Sequence, residues 1–177
     1  MTQSMVVHLH DISHSERRWR WRIPAQRMMA EEGSVEPLEA VCGDTLWQGS
    51  ICCVDGIYQV HGDWQVTVVR QCVRCLCDFE WTNKQSCDAQ YSLHPLPDMD
   101  EEAQADIEVL PAHGELNLMD VLREDIWLAW ESCVICKDTC KGLCQKCGMD
   151  LNQGDCSCNQ QPEDHPFAAL AAMKFDA

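Results

Sequence analysis

Cysteine crowds into one short stretch near the C-terminus of this chain. It runs Cys136-Lys-Asp-Thr-Cys140-Lys-Gly-Leu-Cys144-Gln-Lys-Cys147-Gly-Met-Asp-Leu-Asn, followed by Cys156-Ser-Cys158. Thiolates this dense, held on tight turns, are what a tetrahedral Zn²⁺ needs. The Cys144-x-x-Cys147-Gly unit has the form of a knuckle. Two thiolates reach one metal from a turn, and the following glycine can take φ > 0 and let backbone N–H groups point at sulfur. The first choice of ligands is Cys144, Cys147, Cys156 and Cys158, with Asn152, Gly154 and Asp155 as turn residues between the pairs. Cys140 and Cys136 are the substitutes. Four sulfurs leave no open position for water, so a zinc held this way is structural rather than catalytic.

Two other cysteine groups lie upstream. Cys72-Val-Arg-Cys75, with Cys77 nearby, follows a strand pattern. A thioredoxin-type redox pair sits at a helix N-terminus, where the dipole lowers the thiol pKa. No helix pattern follows here, since Phe79 and Trp81 read as more strand. A strand-end turn fits better, and Cys72 and Cys75 are a candidate second metal site. Cys52 and Cys53 are neighbours in a strand, so one thiol is expected in the core and the other outside.

The 177 residues carry a formal charge of −16, from 29 acidic and 13 basic side chains. Polyanion binding is driven by Lys and Arg neutralising phosphates, so the chain as a whole is a poor nucleic-acid binder. The local exception is Arg17-Arg18-Trp19-Arg20-Trp21-Arg22. Arginines interleaved with tryptophans can grip phosphates and stack on bases. The same period-two alternation describes a half-buried strand with its indoles packed inside and its guanidinium groups in water, which is the favoured reading. No run approaches the roughly 18 apolar residues of a membrane-spanning helix. Met1 to His14 is polar and lacks the apolar segment of a signal peptide. An intracellular, cytoplasmic setting follows, where 14 cysteines are metal ligands and buried thiols rather than a disulfide framework. The seven histidines are scattered over loops, and neither Gly-x-Ser-x-Gly nor a P-loop is present. No small-molecule substrate, membrane partner or enzymatic activity is indicated.

The expected fold class is α+β: an antiparallel β-meander with one packed helix, a C-terminal zinc-knuckle module and a short tail helix. Residues 1–45 form an arm and lead-in whose first 16 residues look loosely attached. Residues 46–132 form the body, with an acidic loop over 95–106; 133–160 form the module and 161–177 the tail helix. Trp19 to Ile23 permits a strand, and Pro24 to Gly33 is compatible with a short helix. Leu46 to Val54 leads into Asp55-Gly56, a hairpin turn pair. Ile57 to Val60 leads into a second turn at His61-Gly62-Asp63. Trp64 to Cys72 then alternates strictly. Asp78 to Trp81, Ser86 to Leu93 and Ile107 to Leu110 supply further strands. Asn117 is the expected N-cap of the one clear helix, with Leu118, Leu122, Ile126 and Trp130 as its apolar stripe.

The order of these motifs resembles the bacterial YceD family, the large ribosomal RNA subunit accumulation proteins, which have plastid relatives. The resemblance rests on Gln71-Cys72-Val-Arg-Cys75-Leu, an acidic loop, and Glu115-Leu-Asn117-Leu running on to Arg123-Glu124-Asp125-Ile126. It rests most on Cys140-Lys-Gly-Leu-Cys144-x-x-Cys147-Gly-x-Asp150-Leu-Asn152 with Cys156-x-Cys158. It covers roughly Leu46 to Phe175, and Asp164-His165-Pro166-Phe167 departs slightly from the family's Asp-Pro. What the resemblance implies is a role in accumulation of large-subunit ribosomal RNA, hence in ribosome biogenesis, without established catalysis. The −16 charge adds an expectation about partners: an acidic surface attracts a basic ribosomal protein or a pre-large-subunit particle. Direct RNA contact through Arg17 to Arg22, and thiol–disulfide chemistry at Cys72 and Cys75, are the alternatives.

Overall fold

The computed structural model describes residues 5–12, 16–28, 38–96 and 104–158. The expected tail helix and most of the acidic loop lie outside them. The strands are β1 (Val6–His8), β2 (Arg17–Ile23), β3 (Thr45–Val54), β4 (Ile57–Gln71), β5 (Asp78–Ser92), β6 (Ile107–Val109) and β7 (Glu115–Asn117). The helices are α1 (Ala25–Met28) and α2 (Leu118–Leu128), with 3₁₀ turns at Leu9–Ile12 and Leu38–Ala40. Five strands pair in the order β2-β3-β4-β5-β6, all antiparallel except the parallel β5–β6 pair, and β1 pairs with β7 in a separate ladder.

β3 and β4 join through Asp55 (φ 51°) and Gly56 (φ 82°), the two positive φ angles a type I′ hairpin demands. The turn expected at His61-Gly62-Asp63 does not form. β4 runs unbroken to Gln71, and Gly62 sits in register with Gly49 on one side and Cys87 on the other. The glycine serves a close approach between strands, not a reversal. A Cβ at Gly62 would lie 2.7 Å from Gln48 O and 3.1 Å from Trp47 Nε1. β5, expected as two strands, is likewise one, because Asn83 of the polar middle is buried and donates to Ala129 O.

Residues 5–9 are not loosely attached either. Val7 and Leu9 are buried, Val6 pairs with Asn117, and Leu118 N donates to Met5 O at 2.9 Å. β2 follows the packed-strand reading. Trp19 and Ile23 are buried, while Arg18, Arg20 and Arg22 face water. The Trp19, Trp21 and Trp47 rings pack on one another with centroids 5.2 to 5.7 Å apart. The core lies between this face of the sheet and α2, where Trp47, Ile51, Val66 and Val68 meet Leu118, Leu122 and Ile126. Burying each such aliphatic side chain contributes about 1.5–3 kcal/mol.

α2 starts as expected. Asn117 is extended and its side-chain oxygen accepts from Met119 N. It stops one residue before the C-cap Ala129, so Trp130 falls outside the helical stripe. Trp130 instead meets Trp81 edge-on at 6.4 Å, and the Arg70 guanidinium lies 3.7 Å from its ring centroid. Arg70 also donates to Glu131 O at 2.6 Å. This clasp ties the chain leaving α2 to the β4–β5 hairpin and aims it at the hairpin tip.

Candidate metal centres

The hairpin tip is a tight loop over Cys72–Cys77. Cys72 N donates to Cys77 O and Leu76 N to Cys72 O, both at 2.9 Å, with Leu76 in the left-handed region at φ 58°. Val73 N donates to Val134 O at 3.0 Å, which draws the segment after α2 across the tip. Four thiols converge there. Cys72 Sγ lies 3.8 Å from Cys140 Sγ and Cys75 Sγ lies 3.7 Å from Cys136 Sγ. All four sulfurs are within 4.8 Å of one another. A single ion with Zn–S bonds of about 2.3 Å in a tetrahedron sets its sulfurs about 3.8 Å apart, so the spacing suits one metal ion. Phe79, Ile135 and Leu143 pack around the group.

A second group begins four residues after Cys140 and forms from local turns. Cys144, Cys147, Cys156 and Cys158 again have all sulfurs within 4.8 Å. Gly148 N donates to Cys144 O at 2.8 Å with Gly148 at φ 73°, and Cys144 N donates to Met149 O at 2.8 Å. These bonds close a tight turn over the Cys-x-x-Cys-Gly segment. Cys136 and Cys140, the expected substitutes in this set, lie instead with Cys72 and Cys75. Their sulfurs meet the hairpin's across separations of 61 and 68 residues.

The electrostatics favour thiolate at Cys72 and Cys140 in the first group and at Cys144 in the second. Partial desolvation opposes ionisation of Cys72, but N–H groups at Cys136, Cys75 and Arg74 overcome it and hold the thiol at about 6. The N–H groups of Cys147 and Lys146 bring Cys144 down to about 6 as well. Cys140 is also lowered: desolvation opposes, while Gly142 N–H and the Asn152 amide favour the thiolate. Four other thiols are pushed up: Cys75, where the Cys77 N–H opposes but the Cys77 thiol and burial prevail, Cys136, chiefly by burial, Cys156, chiefly by the Cys144 thiol, and Cys158, chiefly by the Cys147 thiol. None of the 14 cysteines is in a disulfide. Two sets of four thiols, each able to surround one soft or borderline divalent ion, can hold metal.

Other sequence candidates stand apart from these groups. Cys77 Sγ lies 3.2 Å from Cys75 Sγ but is exposed and outside the set of four. Cys52 and Cys53 are both half-buried, so the expected split between core and solvent is not seen. From Cys52 to the hairpin end every β3 residue is at least partly exposed. On β2, Arg18 pairs with Glu16 at 2.6 Å and Arg22 with Asp44 at 3.5 Å. The Cys136–Cys140 role was hidden because nothing local marks which upstream pair it meets; the unabsorbed Cys72-x-x-Cys75 pair was the available signal.

Among the described residues no helix is long and apolar enough to cross a membrane. No solved structure matches this chain. A curated protein of Arabidopsis thaliana, large ribosomal RNA subunit accumulation protein YCED homolog 1, chloroplastic, is 30% identical over 64 residues. That stretch is 36% of this chain and 20% of the plant protein, so the chain matches about a fifth of its relative's length. The family model described as large ribosomal RNA subunit accumulation protein YceD matches residues 60–174. The match takes in most of β4, the hairpin tip, α2 and both four-thiol groups, and with it the chain belongs to the YceD family.

Proposed function

We propose that this chain is a non-enzymatic, cytoplasmic factor supporting accumulation of large-subunit ribosomal RNA, and that it carries two structural Zn²⁺ ions. One is held by Cys72, Cys75, Cys136 and Cys140, the other by Cys144, Cys147, Cys156 and Cys158. The zinc ions fix the fold of the module and its attachment to the β4–β5 hairpin; a filled four-thiolate shell leaves no position for a reacting group. Its partner is a basic ribosomal protein or a pre-large-subunit particle, met through an acidic surface.

The observation that carries the partner is charge. The formal −16 counts every cysteine as neutral. Eight thiolates around two Zn²⁺ ions add about −4 more, which repels RNA phosphate and attracts a basic protein. Direct RNA contact through β2 is less favoured, because Trp19 is buried and packs against two other indoles rather than standing free to stack on bases. A thiol–disulfide role for Cys72 is less favoured because its sulfur belongs to a residue with 0% exposure, whereas an exchanging thiol needs access. The test is capture from ribosomal fractions with tagged, zinc-loaded protein. Recovery of a basic ribosomal protein or pre-large-subunit particle at low salt, declining as salt rises, is the expected result. Recovery of neither at low salt overturns the partner assignment.

A further inference from the structure

The two thiol groups are not independent neighbours. They share the segment Cys140-Lys141-Gly142-Leu143-Cys144, whose first residue belongs to one group and last to the other. Between those ends the segment bonds both to the loop of the second group and to the hairpin. Leu143 N donates to Arg74 O at 3.0 Å, and Leu151 N donates to Gly142 O at 2.9 Å. Leu143 forms a β-bridge with Asp150. Gly142 stands at φ 74°, and a Cβ there would lie 3.0 Å from Arg74 O, so the segment is pressed onto the hairpin without slack.

Asn152 is the pivot. It sits in the loop between Cys147 and Cys156, whose closure depends on the second group. Its side-chain NH₂ donates to Cys140 Sγ of the first group at 3.5 Å and to Asp150 Oδ1 at 2.7 Å. Its side-chain oxygen accepts from Lys141 N at 2.9 Å, and its own backbone N–H donates to the same Asp150 oxygen at 2.9 Å. The opposite amide orientation would set oxygen against both a carboxylate and a sulfur and NH₂ against an N–H, so the chemistry of the neighbours fixes this one. An N–H···S bond from outside the ligand set stabilises the thiolate and orients it toward its ion.

We propose that the two sites are thermodynamically coupled, that filling either raises the affinity of the other, and that Asn152 is the positioning residue that couples them. The proposal rests on the two-ion reading above. Closing the second site fixes the Cys147–Cys156 loop and with it Asn152, which then presents its amide to Cys140. Filling the first site holds Cys140 and Lys141 where they keep Asn152 and Asp150 in place. The effect must be reciprocal, since it is a single coupling free energy.

The experiment uses the full reduced chain, Zn²⁺ itself and a competing chelator, and reads the product of the two stepwise association constants. Single-site constants come from Cys72→Ser/Cys75→Ser and from Cys156→Ser/Cys158→Ser. The expected product for the unaltered chain exceeds the product of the single-site constants by about tenfold or more. Asn152→Ala keeps all eight thiols and takes up two ions, but its product falls about fivefold to tenfold below that of the unaltered chain. This second reading stands even if a serine variant fails to fold. A product unchanged within about twofold in Asn152→Ala overturns the role of Asn152. Equality between the unaltered chain and the single-site variants overturns the coupling while leaving two sites, whereas uptake of fewer than two ions overturns the two-ion reading and the coupling with it.

Discussion

Gly49→Ala tests whether β4 is one continuous strand held at close approach to β3. A Cβ at position 49 would lie 2.5 Å from His61 O, 2.7 Å from Trp19 Cζ2 and 3.0 Å from Gly62 Cα. Comfortable non-bonded contact is about 3.5 Å or more, so all three overlap. Two of the atoms are backbone of the paired strand and cannot rotate away. The third is an indole 9% exposed and wedged between Trp21 and Trp47. Relief requires the strands to part across the middle of the sheet, which places the cost at the upper end for overpacking, about 3 kcal/mol. For a chain of this length that lowers Tm by about 6–12 °C. Two other glycines calibrate the result. Gly56→Ala meets nothing within 4 Å but must hold φ 82°, at about 1–2 kcal/mol. Gly43→Ala has only Thr67 Cβ nearby, at 3.9 Å, and is expected near neutral. Thermal and urea unfolding of the zinc-loaded variants should rank Gly49 above Gly56 above Gly43 in cost. A Gly49→Ala protein as stable as Gly43→Ala would refute the close approach.

Asn117→Ala removes the α2 N-cap bond to Met119 N and should cost about 1 kcal/mol in urea unfolding, with unchanged metal content. Asp125 accepts from Trp64 Nε1, yet burial raises its pKa, with Asp88 adding to the rise. The folded state therefore binds its proton more tightly than the unfolded chain, and the ionised carboxylate weakens the fold as pH climbs above about 4. Asn keeps an acceptor for the indole, so Asp125→Asn should raise Tm at pH 7, with the gain shrinking toward pH 3; a lower Tm at pH 7 would contradict this.

Features fixed by neighbouring residues were legible in the sequence. Asp55-Gly56 carries its own turn, and Asn117 caps α2 through the N–H of its near neighbour Met119. Features whose cause is tertiary were not. Gly62 reads as a turn until Gly49 and the Trp47 ring are placed against it. The three residues of β1 carry too little pattern to reveal pairing with β7 more than a hundred positions away, and β6 is too short to announce a parallel register. The same holds for the candidate site. Cys144, Cys147, Cys156 and Cys158 converge through local turns, and their spacing points to one another. Cys136 and Cys140 meet Cys72 and Cys75 only because the Arg70–Trp130 clasp and the Val73–Val134 bond bring the end of α2 to the hairpin tip.

Elemental analysis of zinc per chain, on protein purified under reducing conditions, decides whether the chain holds two ions when it is measured beside Cys72→Ser/Cys75→Ser. The two-ion assignment requires about two ions per unaltered chain and about one in the variant, with the sheet intact by circular dichroism. One ion or none in the unaltered chain, or an undiminished content in the variant, would contradict it.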